Sequence, residues 1–110
     1  MAAMPSQSPL NAARMTIIEA IARTVLVTAR YNRQALTLAP HALLARRGEL
    51  YVSALNLTKI WPSPDEKRLG YFKLAGLTDV ELTRETFEAL PNFAPEALAQ
   101  ADDEVLLTIT

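Results

Sequence analysis

The spacing of apolar residues changes once along this chain, from a helical spacing to a spacing of two. The apolar residues of the first part include Leu10, Ile17, Ile18 and Ile21. They fall three, four or seven positions apart, which places them on one side of a helix. The β-branched run 24–28 then begins a region in which apolar and polar residues alternate, as in half-buried strands. The change predicts one N-terminal helix followed by a β-sheet.

The alternating region divides into short strands separated by turn signals. Pro40 requires an edge, a bulge or a bend in the second strand, because proline donates no ladder hydrogen bond. Gly48 in the segment 46–49 predicts a hairpin turn, since glycine accepts a positive φ. A single helical turn at 83–87 and a short helix at 95–100 are also predicted. The predicted strands cover residues 24–31, 36–39, 50–57, 71–74, 80–83 and 105–110.

The first five of these short strands, which follow one helix, favour a small, strongly curved antiparallel barrel, a mainly β fold. The length of 110 residues suits one hydrophobic core and is too short for two. We therefore expect a flexible leader over 1–9 and a single domain over 10–110. Within that domain the helix covers 10–23, the barrel 24–83 and a helix–strand tail 84–110.

Several classes of chemistry are excluded by what the chain lacks. It has no cysteine and one histidine, which excludes disulfides, thiolate zinc sites and cysteine nucleophiles. The carboxylates at 102–104 are adjacent and do not converge on one ion, and no glycine-rich phosphate loop or catalytic triad spacing is present. We therefore expect no metal, no cofactor and no enzymatic activity. The start of the chain has no secretory pattern, which favours the cytoplasm.

Charge is distributed unevenly along the sequence. Residues 1–78 carry ten basic and four acidic side chains, a net charge of +6, whereas residues 79–110 carry a net charge of −7. One interpretation is that an anionic partner binds the first part. The other is that the acidic end neutralises the basic part within one molecule. The sequence leaves both open.

A surface that binds single-stranded nucleic acid needs cations for the phosphates and exposed rings for the bases. The cations available near the predicted strands are Arg46, Arg47, Lys67, Arg68 and Lys73, and the rings are Tyr31, Tyr51, Trp61 and Tyr71. Alternatively, the Trp61 side chain folds back and caps the end of the barrel. His41, which is able to titrate near neutral pH, is either buried and hydrogen-bonded or a ligand contact.

Short motifs occur in a recognisable order over the segment Tyr31–Phe93. They are an Ala-Ile pair in the preceding helix (Ala20-Ile21), a strand ending in Tyr31, the elements Pro40-His41-Ala42-Leu43, Gly48-Glu49-Leu50-Tyr51-Val52 and Phe72-Lys73-Leu74, and an exit of Thr83, Phe87, Pro91 and Phe93. In this order the segment resembles the WYL-domain family, small Sm-like (SH3-type) barrels of bacterial transcription regulators.

The resemblance implies an Sm-like barrel with a regulatory, non-catalytic role. Domains of this family sense a ligand, often a single-stranded nucleic acid or nucleotide, and signal to an attached helix-turn-helix domain. The residues before Tyr31 supply one helix, so this chain is expected to act through a partner or as a free-standing sensor. Leu50 and Val52 replace the family's tryptophan and leucine, and Gly70 and Gly76 stand where arginines are usual.

The sequence thus predicts a non-catalytic module that senses a nucleic acid or nucleotide-like anion in transcription regulation. The predicted binding residues are His41, Arg46, Arg47, Tyr51, Arg68 and Lys73. The alternative is a protein-interaction or assembly module whose ligand face has degenerated, which the two glycines favour. The expected partners are a single-stranded nucleic acid or nucleotide, or a second copy bound through 105–110 or the N-terminal helix.

Overall fold

Among the residues that the structure describes, one helix precedes six strands. The computed structural model describes residues 9–91, 93–94 and 103–109. Short 3-10 turns occur at Pro64–Glu66 and Leu74–Gly76. The elements are α1 (Pro9–Arg23), β1 (Val25–Tyr31), β2 (Gln34–Arg46), β3 (Glu49–Asn56), β4 (Leu69–Lys73), β5 (Leu77–Thr86) and β6 (Asp103–Thr108).

The strands form one antiparallel sheet in the order β4-β3-β2-β1-β5, and β6 also pairs with β2. The long strand β2 organises this arrangement. Its first part pairs with β1 and its last part with β6, while β3 occupies its other edge. The register between β2 and β3 shifts between Pro40 and Ala42, so the irregularity predicted from the proline is present. The mainly β, barrel-type antiparallel fold with an N-terminal helix is confirmed.

Two tight turns connect the first three strands. Arg47 and Gly48 have φ values of 51° and 82°, which confirms the hairpin predicted from the glycine. Asn32 and Arg33 form the other two-residue turn, with φ values of 51° and 67°. No glycine is needed there, because asparagine tolerates the left-handed region better than most residues.

The predicted helical turn at 83–87 is wrong, because β5 continues to Thr86. Thr86 pairs with Val25 of β1, and the Thr83 hydroxyl donates a hydrogen bond of 2.8 Å to the Leu26 carbonyl. Pairing with β1 thus outweighs the local helical signal. The predicted helix at 95–100 and most of the predicted leader lie outside the described residues.

The main core lies between α1 and the inner face of the sheet. Ile17 and Ile21 of the helix are buried against residues of all the long strands. Burying each such side chain contributes about 1.5–3 kcal/mol. A second cluster at one end of the barrel contains Leu26, Ala39 and Leu55. Among the residues described, no helix has the length and apolar character needed to cross a membrane.

Candidate functional site

The tip of the β2–β3 hairpin brings charged and aromatic side chains together. Arg46 ends β2, Tyr51 lies on β3, and Tyr51 pairs in register with Lys73 of β4. Tyr71 lies two residues before Lys73, so it shares that face of the sheet. We call Arg46, Tyr51, Tyr71 and Lys73, with the acidic partners Glu49 and Asp103, the hairpin cluster.

Arg46 is the centre of the hairpin cluster. Its guanidinium carbon lies 5.2 Å from the centroid of the Tyr51 ring and 5.0 Å from that of Tyr71. Its Nε and Nη2 donate to the two carboxylate oxygens of Asp103, at 2.8 and 2.9 Å. This hydrogen bonding to Asp103 is the main cause that raises the pKa of Arg46 above its ordinary value. The Asp103 side chain is 2% exposed and that of Arg46 29%, so the pair is largely shielded from water.

Lys73 forms the second ion pair of the hairpin cluster. Its Nζ lies 2.7 Å from Oε2 of Glu49, and hydrogen bonding to Glu49 is the main cause that raises the pKa of Lys73. Both side chains are about half exposed, so solvent screens this attraction. Two of the predicted anion-binding cations therefore already have carboxylate partners within the chain.

The other predicted cations are placed differently. Arg47 is exposed at the hairpin turn, next to Arg46. Arg68 is exposed just before β4, five residues from Lys73. An extended segment of that length spans about 16 Å. The structure therefore brings Arg46, Tyr51 and Lys73 together, places Arg47 at the adjoining turn, and leaves Arg68 towards the opposite end of the strand.

His41 is fully buried on β2. Its Nδ1 lies 2.8 Å from the Ala39 carbonyl, and its Nε2 accepts a hydrogen bond of 3.1 Å from the backbone N–H of Leu90. These partners require a neutral ring with its proton on Nδ1. Burial lowers the pKa of His41, which favours the neutral form. The rings of Phe87 and Phe93 lie 5.2 and 5.1 Å away. Of the two interpretations, the structure shows the buried, hydrogen-bonded histidine.

The two glycines at the family's arginine positions have different surroundings. A Cβ at Gly76 would lie 2.9 Å from Cε1 of Tyr31, whose ring contacts Phe72 edge-on at a centroid distance of 5.3 Å. The Tyr31 ring thus occupies the space that a side chain at position 76 would need. A Cβ at Gly70 would lie 3.5 Å from Phe72, an ordinary contact. Packing against Tyr31 therefore explains why residue 76 is a glycine. Packing does not explain the glycine at position 70.

Trp61 caps one end of the barrel. Of the two expectations for this residue, the structure shows the side chain that folds back, not a ring left free for a base. Its Nε1 donates a hydrogen bond of 3.0 Å to the Asn56 carbonyl, and its ring packs on the second cluster of buried residues. Nζ of Lys59 lies 4.5 Å from the ring centroid. Trp61 lies beside Leu69 at the start of β4, whereas the hairpin cluster lies where β4 ends.

The predicted binding residues did not include three members of the hairpin cluster, of which Tyr71 was considered only as one of the candidate rings. Alternation along β4 places Tyr71 on the same face as Lys73, and hairpin pairing places Glu49 opposite Arg46. Both patterns could have assigned these residues to the site. Asp103 gave no local signal, because 57 positions separate it from Arg46. An open cleft of about 200 Å³ adjoins the cluster and is lined by Gly48, Glu49, Leu50, Leu74 and Ala75. In the described ranges, no three potential metal ligands form a group.

The fold is similar to that of part of a solved structure, proteasome accessory factor B/C (PafBC) of Arthrobacter aurescens. The TM-score is 0.65, with 17% sequence identity over 86% of this chain. The chain spans 15% of the length of the PafBC chain. At this level of identity the similarity shows a shared fold. No model of a protein family matches the sequence, and no curated protein does.

Proposed function

We propose that this chain is a non-catalytic regulatory module of the WYL type, which binds a nucleic acid or nucleotide-like anion at the hairpin cluster. One observation carries the proposal. Arg46 lies over the rings of both Tyr51 and Tyr71 and already binds a carboxylate through two hydrogen bonds.

The chemistry of the hairpin cluster suits a phosphate with an attached base. A guanidinium binds phosphate in the same two-point geometry as it binds carboxylate. The tyrosine rings offer faces on which a base stacks, at about 1–3 kcal/mol per base. Lys73 and Arg47 add positive charge, and with Arg46 they exceed the two carboxylates by one. We therefore expect weak binding with a modest dependence on salt.

The structural similarity to PafBC supports a regulatory role, because that protein is a transcription regulator. At 17% identity the likeness concerns the fold, so the ligand is inferred from the hairpin cluster alone. A role as sensor fits a small barrel whose loops and one face remain open for binding.

A titration of fluorescein-labelled single-stranded DNA, followed by fluorescence polarisation, tests this function. We expect saturable binding at about 50 mM salt and clearly weaker binding at about 200 mM, because phosphate contacts release counterions. Absence of binding at the lower salt concentration would refute the proposed ligand class.

An assembly module is the second candidate. Arg46 and Lys73 are both engaged by carboxylates of the same chain, which leaves the hairpin cluster with little net charge. On α1, Met15 and Ile18 are 54% and 39% exposed, one turn apart. Sedimentation velocity at micromolar concentration tests this candidate: a dimer that dissociates in a Met15→Gln, Ile18→Gln variant supports it, and a monomer throughout refutes it.

A further inference from the structure

Asp103 occupies the position in the hairpin cluster where a ligand's phosphate would be expected. Both its carboxylate oxygens bind the Arg46 guanidinium, and its side chain is almost completely buried. The same guanidinium contacts the rings of Tyr51 and Tyr71. A phosphate that would form the same two-point contact therefore needs the two Arg46 donors that Asp103 already occupies.

We propose that Asp103 is an internal competitor of the anionic ligand, and that ligand binding displaces the Asp103 end of β6 from Arg46. This inference rests on the proposed function and adds how the site is regulated. The ligand class follows from the exchange: one anionic group replaces another on Arg46, so a phosphate-bearing molecule competes and a neutral nucleoside does not.

The way β6 is attached allows one end to open while the other stays in place. The pairing of β2 with β6 has an irregularity between Leu43 and Leu44, which separates the pair Leu43–Leu107 from the pair Leu44–Val105. Beyond it, Leu107 packs on the main core. The irregularity is therefore a natural limit for local opening.

The far end of β6 has its own anchor. The N–H of Ile109 donates a hydrogen bond of 2.9 Å to the His41 carbonyl, and Ile109 is buried in the main core. By contrast, Glu104 at the near end is exposed. Opening as far as the irregularity also unpairs Val105 from the fully buried Leu44, so its cost includes some apolar exposure and ladder hydrogen bonds as well as the ion pair.

Two variants that each remove one negative charge test the inference. Asp103→Asn removes the competing charge, whereas Glu104→Gln removes an exposed charge one position away, on the other side of β6. The probe is a fluorescein-labelled single-stranded oligothymidylate of about 12 nucleotides, within the site size of a small barrel. At about 50 mM salt we expect Asp103→Asn to lower the Kd about tenfold and Glu104→Gln to change it less than about twofold.

The outcomes separate this inference from the proposed function. Detectable wild-type binding that becomes tighter with Asp103→Asn than with Glu104→Gln supports both. Salt-sensitive binding by the wild type with equal effects of the two variants overturns the competitor and leaves the function standing. Absence of binding by all three proteins overturns both.

Amide hydrogen exchange of the wild-type protein gives a second measurement, which does not depend on how the variants fold. We expect saturating oligothymidylate to speed exchange at the Asp103 end of β6 at least about tenfold. The amide of Ile109, bonded to His41, should stay slow. Unchanged exchange near Asp103 with the probe bound would overturn displacement.

Discussion

Asp103 and Arg46 form a two-point ion pair although 57 positions separate them in the sequence. The pair joins the acidic end of the chain to its basic part, so at this point the acidic end does neutralise a basic side chain within one molecule. The ion pair also holds β6 against the tip of the β2–β3 hairpin, where Asp103 pairs in register with Arg46. The same contact thus affects stability and the proposed binding site.

Replacing Arg46 by methionine should destabilise the protein, because the buried Asp103 carboxylate then loses its two hydrogen bonds from the guanidinium. The matched control is Arg47→Met at the exposed turn, where surface changes usually have small effects. In urea unfolding, we expect Arg46→Met to lower the midpoint at least twice as much as Arg47→Met. Equal midpoints would show that the ion pair contributes nothing.

The stability of the protein should fall as the pH decreases below neutrality because of His41. Its pKa in the folded state is lowered from the ordinary value of 6.5, so the unfolded chain binds the proton more readily. The stabilisation is fully present above pH 6.5 and is lost as the pH falls through the folded pKa. For one proton the slope reaches at most about 1.4 kcal/mol per pH unit.

Urea unfolding at several pH values between about 7.5 and 5 measures this slope. A His41→Gln variant has no titrating ring, so its free energy of unfolding should depend less on pH than that of the wild type. Parallel curves for the two proteins would contradict the role assigned to His41.

Substitution of Gly76 by alanine should destabilise the barrel by about 1 kcal/mol or more, as overpacking does. The new methyl group would lie 2.9 Å from a Tyr31 ring atom, and that ring is itself held against Phe72. The control is Gly70→Ala, whose methyl group makes an ordinary contact and should leave stability unchanged or slightly raised. The midpoints of thermal unfolding of the two variants test this prediction, which fails if Gly76→Ala is more stable than Gly70→Ala.

A Tyr71→Leu variant should bind single-stranded DNA more weakly. Tyr71 is partly exposed and contacts Arg46, so its ring is positioned to stack on a base. Loss of one stacking contact lowers affinity by about 5- to 150-fold. The dependence of binding on salt should stay unchanged, because no phosphate contact is removed. Polarisation titrations with the oligothymidylate at two salt concentrations separate the two effects.

Lys73→Gln should instead reduce the dependence of binding on salt. One phosphate contact fewer changes the slope of log Kd against log salt by about 0.7 for a single strand. Lys59→Gln is the matched control, since Lys59 lies over Trp61 at the other end of the barrel. A similar loss of slope in both variants would show that the bound strand is not confined to the hairpin cluster, and an unchanged slope with Lys73→Gln would place it elsewhere.

Local features of the sequence were sufficient for most of the fold. The change of apolar spacing located α1 and β1, Gly48 located the hairpin turn, and Pro40 the irregularity of β2. Each depends on neighbouring residues and on backbone sterics, which are the same in any tertiary context. The segment 83–87 was mispredicted because its pairing with β1 is not a local property.

The candidate site was predictable only in part. Alternation and hairpin geometry place Arg46, Tyr51 and Lys73 on one face, and these residues do lie together. His41 is on the same strand as Arg46, but the Leu90 amide and two phenylalanine rings cover it. Which side chains the tail covers depends on where the tail packs, and its own residues do not specify that.

What the sequence by itself determined is the set of elements and the faces of the strands, because these follow from short-range periodicity and turn chemistry. Only the tertiary structure decided which charges meet. Asp103 reaches Arg46 because β6 pairs with β2 in one register, stabilised by the burial of Leu107 and Ile109 in a core built from distant segments. A charge has no preferred partner until that packing sets the distances, since Coulomb attraction acts on any opposite charge within reach.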